Sequence, residues 1–368
     1  MTAVWQKEFF SYLEWLKAHS KLGEKWAVGV SGGADSLALI ILLADWVKNA
    51  EIELTALTVQ HGLRPEAEDE AQYVAQLMAQ YGIEHHILYW EGEKPITGVE
   101  NAARQARYEL IHDWCVEHEV KSLLVAHHKR DQAETFLMRL QRGSGVDGLA
   151  AMAPISKWRD LLVVRPLLQV NPEELRKYLQ ERNVRWVEDS SNQCEDFLRV
   201  KIRKLLPELE NYIGLTRERI CNTSLEMGRV RDYLEKQRDK FINSQVRFYD
   251  KVVAAVAPEM LLSLHEEMGL RVLSALLKKI GKLTYPLRME ELERLWEALQ
   301  TTEFKGRTLG GCEIFILQKK LWFVTELKNK QILSKEDWKK FIIEYPQYGG
   351  KCILPYKVRC VLYNEYMR

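Results

Sequence analysis

Over the first 190 residues, short apolar runs alternate with segments whose apolar residues recur at helical spacing. Trp26–Val30, Leu54–Val59, Glu84–Tyr89, Ser122–Ala126 and Leu161–Val164 predict strands. Ser36–Lys48, Glu66–Tyr81, Glu100–His118, Gln132–Gln141 and Glu173–Arg182 predict helices, the last opened by Asn171 and Pro172 as cap and first residue. Nearly all-apolar strands alternating with helices predict an α/β fold, a doubly wound parallel sheet covered on both faces. Ahead of it, MTAVWQKEFFSYLEWLKAHS is charged throughout and predicts an amphipathic helix rather than a leader segment.

Beyond Asp196 the alternation stops. FLRVKIRKLLPELE and GLTRERICNTSLEMGRVRDYLEKQRDKF predict a long basic helical stretch, followed by helices over Met260–Ile280 and Arg288–Leu299. Cys312–Leu317 and Leu321–Val324 predict two strands joined by Gln318, Lys319 and Lys320, and the last forty residues have only weak periodicity. The expected division is a catalytic α/β domain at residues 1–210, a mostly helical α+β domain at 211–330, and a short extension of unassigned fold at 331–368.

Composition narrows the classes. At 368 residues, two or three domains are expected. The longest apolar run, Leu37–Ala44, is far short of the ~20 residues a bilayer crossing needs, so a membrane role is not expected. Six cysteines without a CxxC pair argue against a disulfide framework or zinc site and fit a reducing cytoplasm. The net charge of +1 conceals an asymmetry. Residues 215–368 hold 28 Lys and Arg against 20 Asp and Glu, leaving 25 against 32 for residues 1–214. A basic C-terminal part is compatible with gripping a polyanion.

The chemistry concentrates at predicted strand ends. After the first strand comes Ser31-Gly32-Gly33-Ala34-Asp35-Ser36, then an apolar helix. Two glycines permit a sharp turn and close approach of a ligand. A helix start offers unpaired N–H groups to an anion, and Asp35 offers a carboxylate for a magnesium ion. No lysine lies between Lys25 and Lys48, so this is not the GxxxxGK[ST] loop. His61 and Arg64 follow the second strand. Arg104 and Arg107 sit one turn apart on a predicted helix. His127, His128, Asp131 and Glu134 follow the fourth strand, ahead of Gly143-Ser144-Gly145. VEDSSNQCEDFLRVKIR supplies Asp189, Ser190, Ser191, Asn192, Arg199, Lys201 and Arg203. Bland readings exist for each: a helix-capping histidine pair, salt-bridged helix faces, a loop ending in an N-cap.

SGGADS resembles the pyrophosphate-binding loop of the N-type ATP pyrophosphatases. Together with HGLR, AARQARY, AHHKRDQAET, RGSG…GLAAM and EDSSN…FLR..IR..LLP, it resembles the tRNA(Ile)-lysidine synthetase family over residues 25–210. YPLRMEELERLWEAL and FKGRTLGGCEIFI extend the likeness more weakly. The resemblance implies ATP-dependent adenylation of the C2 oxygen of the wobble cytidine in a CAU-anticodon isoleucine tRNA. Attack by the ε-amine of free lysine then gives lysidine and switches decoding from AUG to AUA. It implies ATP held by Ser31 to Ser36, and catalytic work by Asp35, His61, Arg107, His128 and Asp131. It further implies Mg²⁺ on Asp35 and Asp131, and RNA or substrate contacts by Arg104, Arg199, Lys201 and Arg203. The chain departs from the family pattern at Gln60, Arg130 and Val200, and Arg130 stands where the first of two acidic residues is usual. A homodimer is compatible with the residues, none of which demands it. The competing expectations are a tRNA base sulfurtransferase of the same superfamily, a small-molecule synthetase with the same loop, and a non-catalytic RNA-binding protein.

Overall fold

The computed structural model describes residues 3–48, 50–62, 67–92, 94, 95, 97–188, 198–285, 287–327, 336, 338, 339, 342 and 354–366. The chain packs as two units, Met1–Val230 and Arg231–Arg368.

In the first unit, α1 (Val4–His19) precedes β1 (Lys25–Gly29), α2 (Ala34–Val47), β2 (Glu53–Gln60), α3 (Ala67–Gln80), β3 (Glu84–Tyr89), α4 (Val99–Glu117) and β4 (Ser122–Leu124). Then come α5 (Lys129–Gln141), α6 (Val146–Leu149), β5 (Ile155–Trp158), β6 (Leu161–Val164), α7 (Pro172–Glu181) and α8 (Leu198–Ile213), with α9 (Arg217–Gln245) crossing the unit boundary. The sheet runs β3-β2-β1-β4-β6-β5. Strands alternate their side chains between faces. Trp26 and Val28 of β1 therefore join a core with α1, α2, α3 and α7, while Ala27 joins Ile111, Trp114 and Cys115 of α4 on the opposite face. Helices thus cover both faces, as the near-continuous apolar strands require.

One strand departs from the expected parallel pattern. β5 pairs antiparallel with β6 through a tight turn in which Arg159 takes φ 54°. At four residues, with a polar Ser156 and Lys157, it carries too little apolar pattern to be seen in the sequence.

The chain lays β1, β2 and β3 outward in one direction, then returns to place β4 against the free side of β1. The segments leaving β1 and β4 therefore diverge. In an open parallel sheet that is where a ligand crevice forms.

The second unit holds an antiparallel sheet in the order β7 (Arg247–Tyr249), β8 (Val253–Val256), β11 (Lys320–Thr325), β10 (Cys312–Leu317), β9 (Arg307–Leu309). α11 (Glu266–Ile280) and α12 (Met289–Gln300) pack on the face bearing Ala254, Val256 and Phe323. α13 (Tyr356–Tyr366) packs on the face bearing Val253, Ala255 and Trp322, giving part of the last forty residues a helix. The sheet is larger than the expected strand pair, and Lys320 belongs to β11. The turn is only Gln318 and Lys319, both at positive φ (54° and 58°), the backbone a two-residue hairpin needs. The expected Met260–Ile280 helix is broken into α10 (Pro258–Leu262) and α11. Ser263 Oγ donates to the Met260 carbonyl at 2.9 Å, and His265 caps α11 by accepting from the Glu267 amide at 3.3 Å.

Candidate active site

The site is built at the crevice between β1 and β4. Gly32 alone of the two glycines takes a left-handed conformation, φ 81°. A Cβ there would lie 3.3 Å from Val74 Cγ2 and 3.5 Å from Val187 Cγ2. Gly33 is extended (φ −74°, ψ 157°) and caps α2, so the turn needs positive φ at one residue rather than at both. Ser36 is the knot of the bend. Its hydroxyl donates to the Gly33 carbonyl at 2.9 Å and accepts from the Ser31 amide at 3.1 Å, with Ser31 Oγ 3.3 Å away. The first intrahelical bond of α2 is Leu37 N to Gly33 O. The amides of Ala34, Asp35 and Ser36 are thus left at the positive end of the helix, the arrangement that favours an anion.

A lateral tie fixes where the bend begins. Thr58 Oγ1 lies 2.8 Å from the Val30 carbonyl and 2.8 Å from His85 Nε2. The carbonyl can only accept, so the single hydroxyl hydrogen goes to it, and His85 Nε2 must donate to Thr58. Burial, with a smaller push from His86, lowers His85 to about 4 and keeps the ring neutral.

From the other side of the crevice, His128 caps α5 and joins the two carboxylates. In the neutral ring the Asp131 amide donates to His128 Nδ1 at 3.3 Å and Nε2 carries hydrogen toward Asp35 Oδ2 at 3.2 Å; in the charged ring Nδ1–H faces Asp131 Oδ2 at 3.2 Å instead. The His128 amide in turn donates to Asp131 Oδ2 at 3.0 Å. Burial works against charging His128, but the bond to Asp35 and the charges of Asp131 and Asp35 outweigh it and raise its pKa. Burial alone would raise Asp131; the charge of His128 leads the effects that instead hold it below the ordinary carboxylate value. His127 is lowered to about 4, chiefly by burial, with Arg165, Arg104 and Arg199 opposing its protonation against the pull of Asp131.

Glu134, with no exposed surface, lies one turn further along α5. Arg203 Nε donates to its Oε1 at 2.8 Å, Arg199 Nε approaches Oε2 at 3.0 Å, and Arg130 Nε stands 3.9 Å from Oε1. The bond to Glu134 raises the Arg203 pKa, whereas burial and then the nearby Arg203 charge lower that of Arg130. At the ends of β2 and β3, Arg107 Nη2 lies 3.4 Å from His61 Nε2. A guanidinium can only donate, so His61 accepts there and bears its hydrogen on Nδ1. Burial, Arg107 and Lys94 lower His61 to about 4. Its ring meets Trp90 edge-on at 5.8 Å, and Lys94 lies over the Trp90 ring at 4.2 Å and donates to the Trp90 carbonyl.

The sequence-named residues therefore fall into distinct groups. Asp35, His128 and Asp131 are joined directly, and Arg199 and Arg203 share the inward face of α8. Arg104 lies over Tyr108 at 5.3 Å and acts on His127, while Arg107 turns to His61, so the two do not work as one pair. Lys201 is exposed, about 200° around the helix from Arg199, and is not brought to Glu134. Arg64 and the segment Asp189 to Asn192 lie outside the described residues. Sequence reasoning gave no role to Glu134, Thr58, His85, Trp90 or Arg176. The one available signal was the one-turn spacing of Arg130 with Glu134 and of Arg199 with Arg203.

The donor set also bears on a metal. Among the described residues, no group of three or more His, Cys, Asp and Glu is arranged to hold an ion. Asp35 Oδ1 is nevertheless a buried oxygen with no hydrogen-bond partner. A hard carboxylate oxygen left free beside an anion-binding helix start fits Mg²⁺, which takes one or two carboxylates and completes its shell with phosphate oxygens and water. Of the four described cysteines, Cys115, Cys221 and Cys312 are free and buried, and Cys360 is buried. Burial pushes the Cys115 and Cys312 thiols up to about 12 and Cys221 to about 11, the opposite of a reactive thiolate.

Comparison with known proteins bears on the family and the fold. A PP-loop domain model matches residues 7–209. A tRNA(Ile)-lysidine synthase of Wolbachia pipientis wMel is 40% identical over 78% of this chain and 67% of its own. The synthase of Ruegeria pomeroyi is 35% identical over 83% of this chain and 72% of its own. Among solved structures, a U34-tRNA thiolase from Methanococcus maripaludis with its 4Fe-4S cluster superposes with TM-score 0.51 at 20% identity, covering 60% of this chain and 78% of that one. That likeness concerns the fold.

Proposed function

The chain belongs to the tRNA(Ile)-lysidine synthase family of PP-loop proteins, and from that premise we propose how its residues perform the ligation. ATP adenylates the C2 oxygen of the wobble cytidine in the CAU anticodon of tRNA(Ile), releasing pyrophosphate. The ε-amine of lysine attacks C2 and displaces AMP. The observation that supports this reading best is the His128 bridge, which brings Asp35 of the glycine bend to Asp131 of the β4 exit beside three unpaired helix-start amides.

In this reading the Ala34, Asp35 and Ser36 amides hold phosphate oxygens, fixed donors that stabilise the departing charge. Asp35 and Asp131 hold Mg²⁺, which when bound supplies positive charge to the phosphate chain. His128 fixes the orientation of both carboxylates. Arg107 orients His61, whose Nδ1–H is buried and without a partner, toward the reacting base. Glu134, buried among arginines, faces the same crevice as Asp131 and keeps Arg199 and Arg203 in place for substrate. The basic part after Leu215 contacts tRNA phosphates, and no described helix is long and apolar enough to cross a membrane. The buried, high-pKa cysteines give sulfur transfer no support among the described residues.

The test is incorporation of labelled lysine into acid-precipitable RNA. It should require both ATP and tRNA(Ile). Equal incorporation into methionine tRNA would overturn the assigned specificity.

A further inference from the structure

Around Glu134 four arginines gather from three helices. Arg130 (α5), Arg199 and Arg203 (α8) all approach it, and Arg176 (α7) is near enough for its charge to act on Arg130. Asp131 is bonded to His128, and its charge also acts on Arg203. Glu173 pairs with Arg217 at 3.0 Å and also feels the Arg130 charge. The donors are not all used. The Nε atoms of Arg130 and Arg176 are both buried without a hydrogen-bond partner. A buried charged donor left unsatisfied is costly and is rare unless something else accepts from it. Asp35, on the glycine bend, acts electrostatically on both Arg130 and Arg203, which puts the arginine cluster in the neighbourhood of the α2 helix start.

We propose that Arg130 and Arg176 form a phosphate-oxyanion subsite that receives the pyrophosphate end of ATP. The proposal rests on the ATP-splitting reading above and deepens it. A guanidinium is a planar fork of N–H donors matched to phosphate oxygens, and it stays charged at neutral pH. Two such forks on separate helices, one in the first turn of α5, would add charged donors to those of the α2 amides. The same chemistry could accept an RNA backbone phosphate or the carboxylate of lysine, and the experiment separates these sources.

The full chain would be compared with Arg130→Gln, Arg176→Gln and Arg130→Lys. Calorimetric binding of inorganic pyrophosphate, without tRNA or lysine, is measured beside the KM values for ATP, tRNA and lysine. Loss of a charge-assisted bond predicts pyrophosphate binding weakened about tenfold or more in each glutamine variant. Arg130→Lys, keeping the charge, should recover most of the loss, and the KM values for tRNA and lysine should stay near those of the parent. Unchanged pyrophosphate affinity in both glutamine variants overturns the proposal. So does a rise in KM for tRNA with a shallower salt dependence, which assigns the pair to RNA, or a rise for lysine alone, which assigns it to the amino acid carboxylate. If Arg130→Gln does not fold, as judged by its thermal transition, Arg176→Gln and Arg130→Lys decide. Because pyrophosphate binding needs no turnover, a parent chain that fails to transfer lysine would sink the ligation reading without deciding this one.

Discussion

The two units solve the same packing problem and end with opposite interiors. Each is a sheet with helices on both faces, yet every buried polar or charged side chain among the described residues, from Gln6 to Ser224, belongs to the first. The second buries Val, Leu, Ile, Trp and Phe almost without interruption. Topology accounts for the contrast. An antiparallel sheet such as β7–β11 returns the chain by hairpins, so neighbouring strands end in contact. A parallel sheet that reverses its direction of growth leaves two strand exits parting from one another, and the polar groups there must be satisfied by one another. In the first unit His128, Asp35 and Asp131 do this in part, as do Glu134 and its arginines, with Asp35 Oδ1 and the Arg130 Nε left over.

The comparison breaks most readily at Asp35. Asp35→Ala should lower the rate of lysine transfer by about a hundredfold or more while the circular dichroism spectrum is unchanged, as removal of one preorganised charge-stabilising group does. Glu134→Gln should be the most damaging to stability. Removing one partner of a buried ionic cluster costs about 3–5 kcal/mol, so the thermal midpoint should fall by roughly 6–20 °C for a unit of this size. The counterpart in the apolar interior is Gly269→Ala. A Cβ there would lie 2.2 Å from Trp296 Cζ3, where α11 and α12 cross closely. Overpacking of this kind costs about 1–3 kcal/mol, visible in denaturant midpoints, without altering the rate of lysine transfer per folded molecule.

The pH response should also divide between the units, since all the histidines except His265 lie in the first. His61, His85 and His127 are held neutral down to about 4 when folded, against 6.5 when unfolded. Between those values the unfolded chain binds more protons than the folded one, so their stabilisation is complete above 6.5 and is lost as pH falls toward 4. His112, raised by its bonds to Asp160 and Asp113, and His128, raised by Asp35 and Asp131 against its burial, work in the other direction: their contributions are complete below 6.5 and fade as pH rises through the folded values. The midpoint of the first unit should therefore fall between pH 6.5 and 4.5, and His85→Gln, which keeps a donor for Thr58 but cannot titrate, should flatten part of that slope. The smallest effect is expected at the surface. Glu267→Gln, removing the exposed partner of Arg271, should change stability by less than about 1 kcal/mol.

Local signals made much of this legible from the residues alone. The bend from Ser31 to Ser36 could be read because strand, glycine and helix start are contiguous, and both carboxylates were named from their strand-end positions. What escaped was whatever depends on relations between distant segments. The tie from His85 through Thr58 to Val30 joins three strands, and no pattern within any one of them announces it. Glu134 is named with His127, His128 and Asp131, but its ionic partners on α8 show only when that helix is seen against it. Lys201 stands between Arg199 and Arg203 in the sequence, but a rotation of about 100° per residue turns it outward, away from Glu134. β5, β7 and β8, of three or four residues each, are too short for alternation to register.

Thr58 has a single hydroxyl hydrogen, and spending it on Val30 has a spectroscopic consequence. The imidazole two strands away is left with one permitted tautomer, so the nitrogen chemical shifts of His85 become a remote gauge of the glycine bend. If nucleotide binding pulls the Val30 carbonyl away, the hydroxyl is freed to turn toward the ring, and the resonance pattern should invert before any large motion occurs.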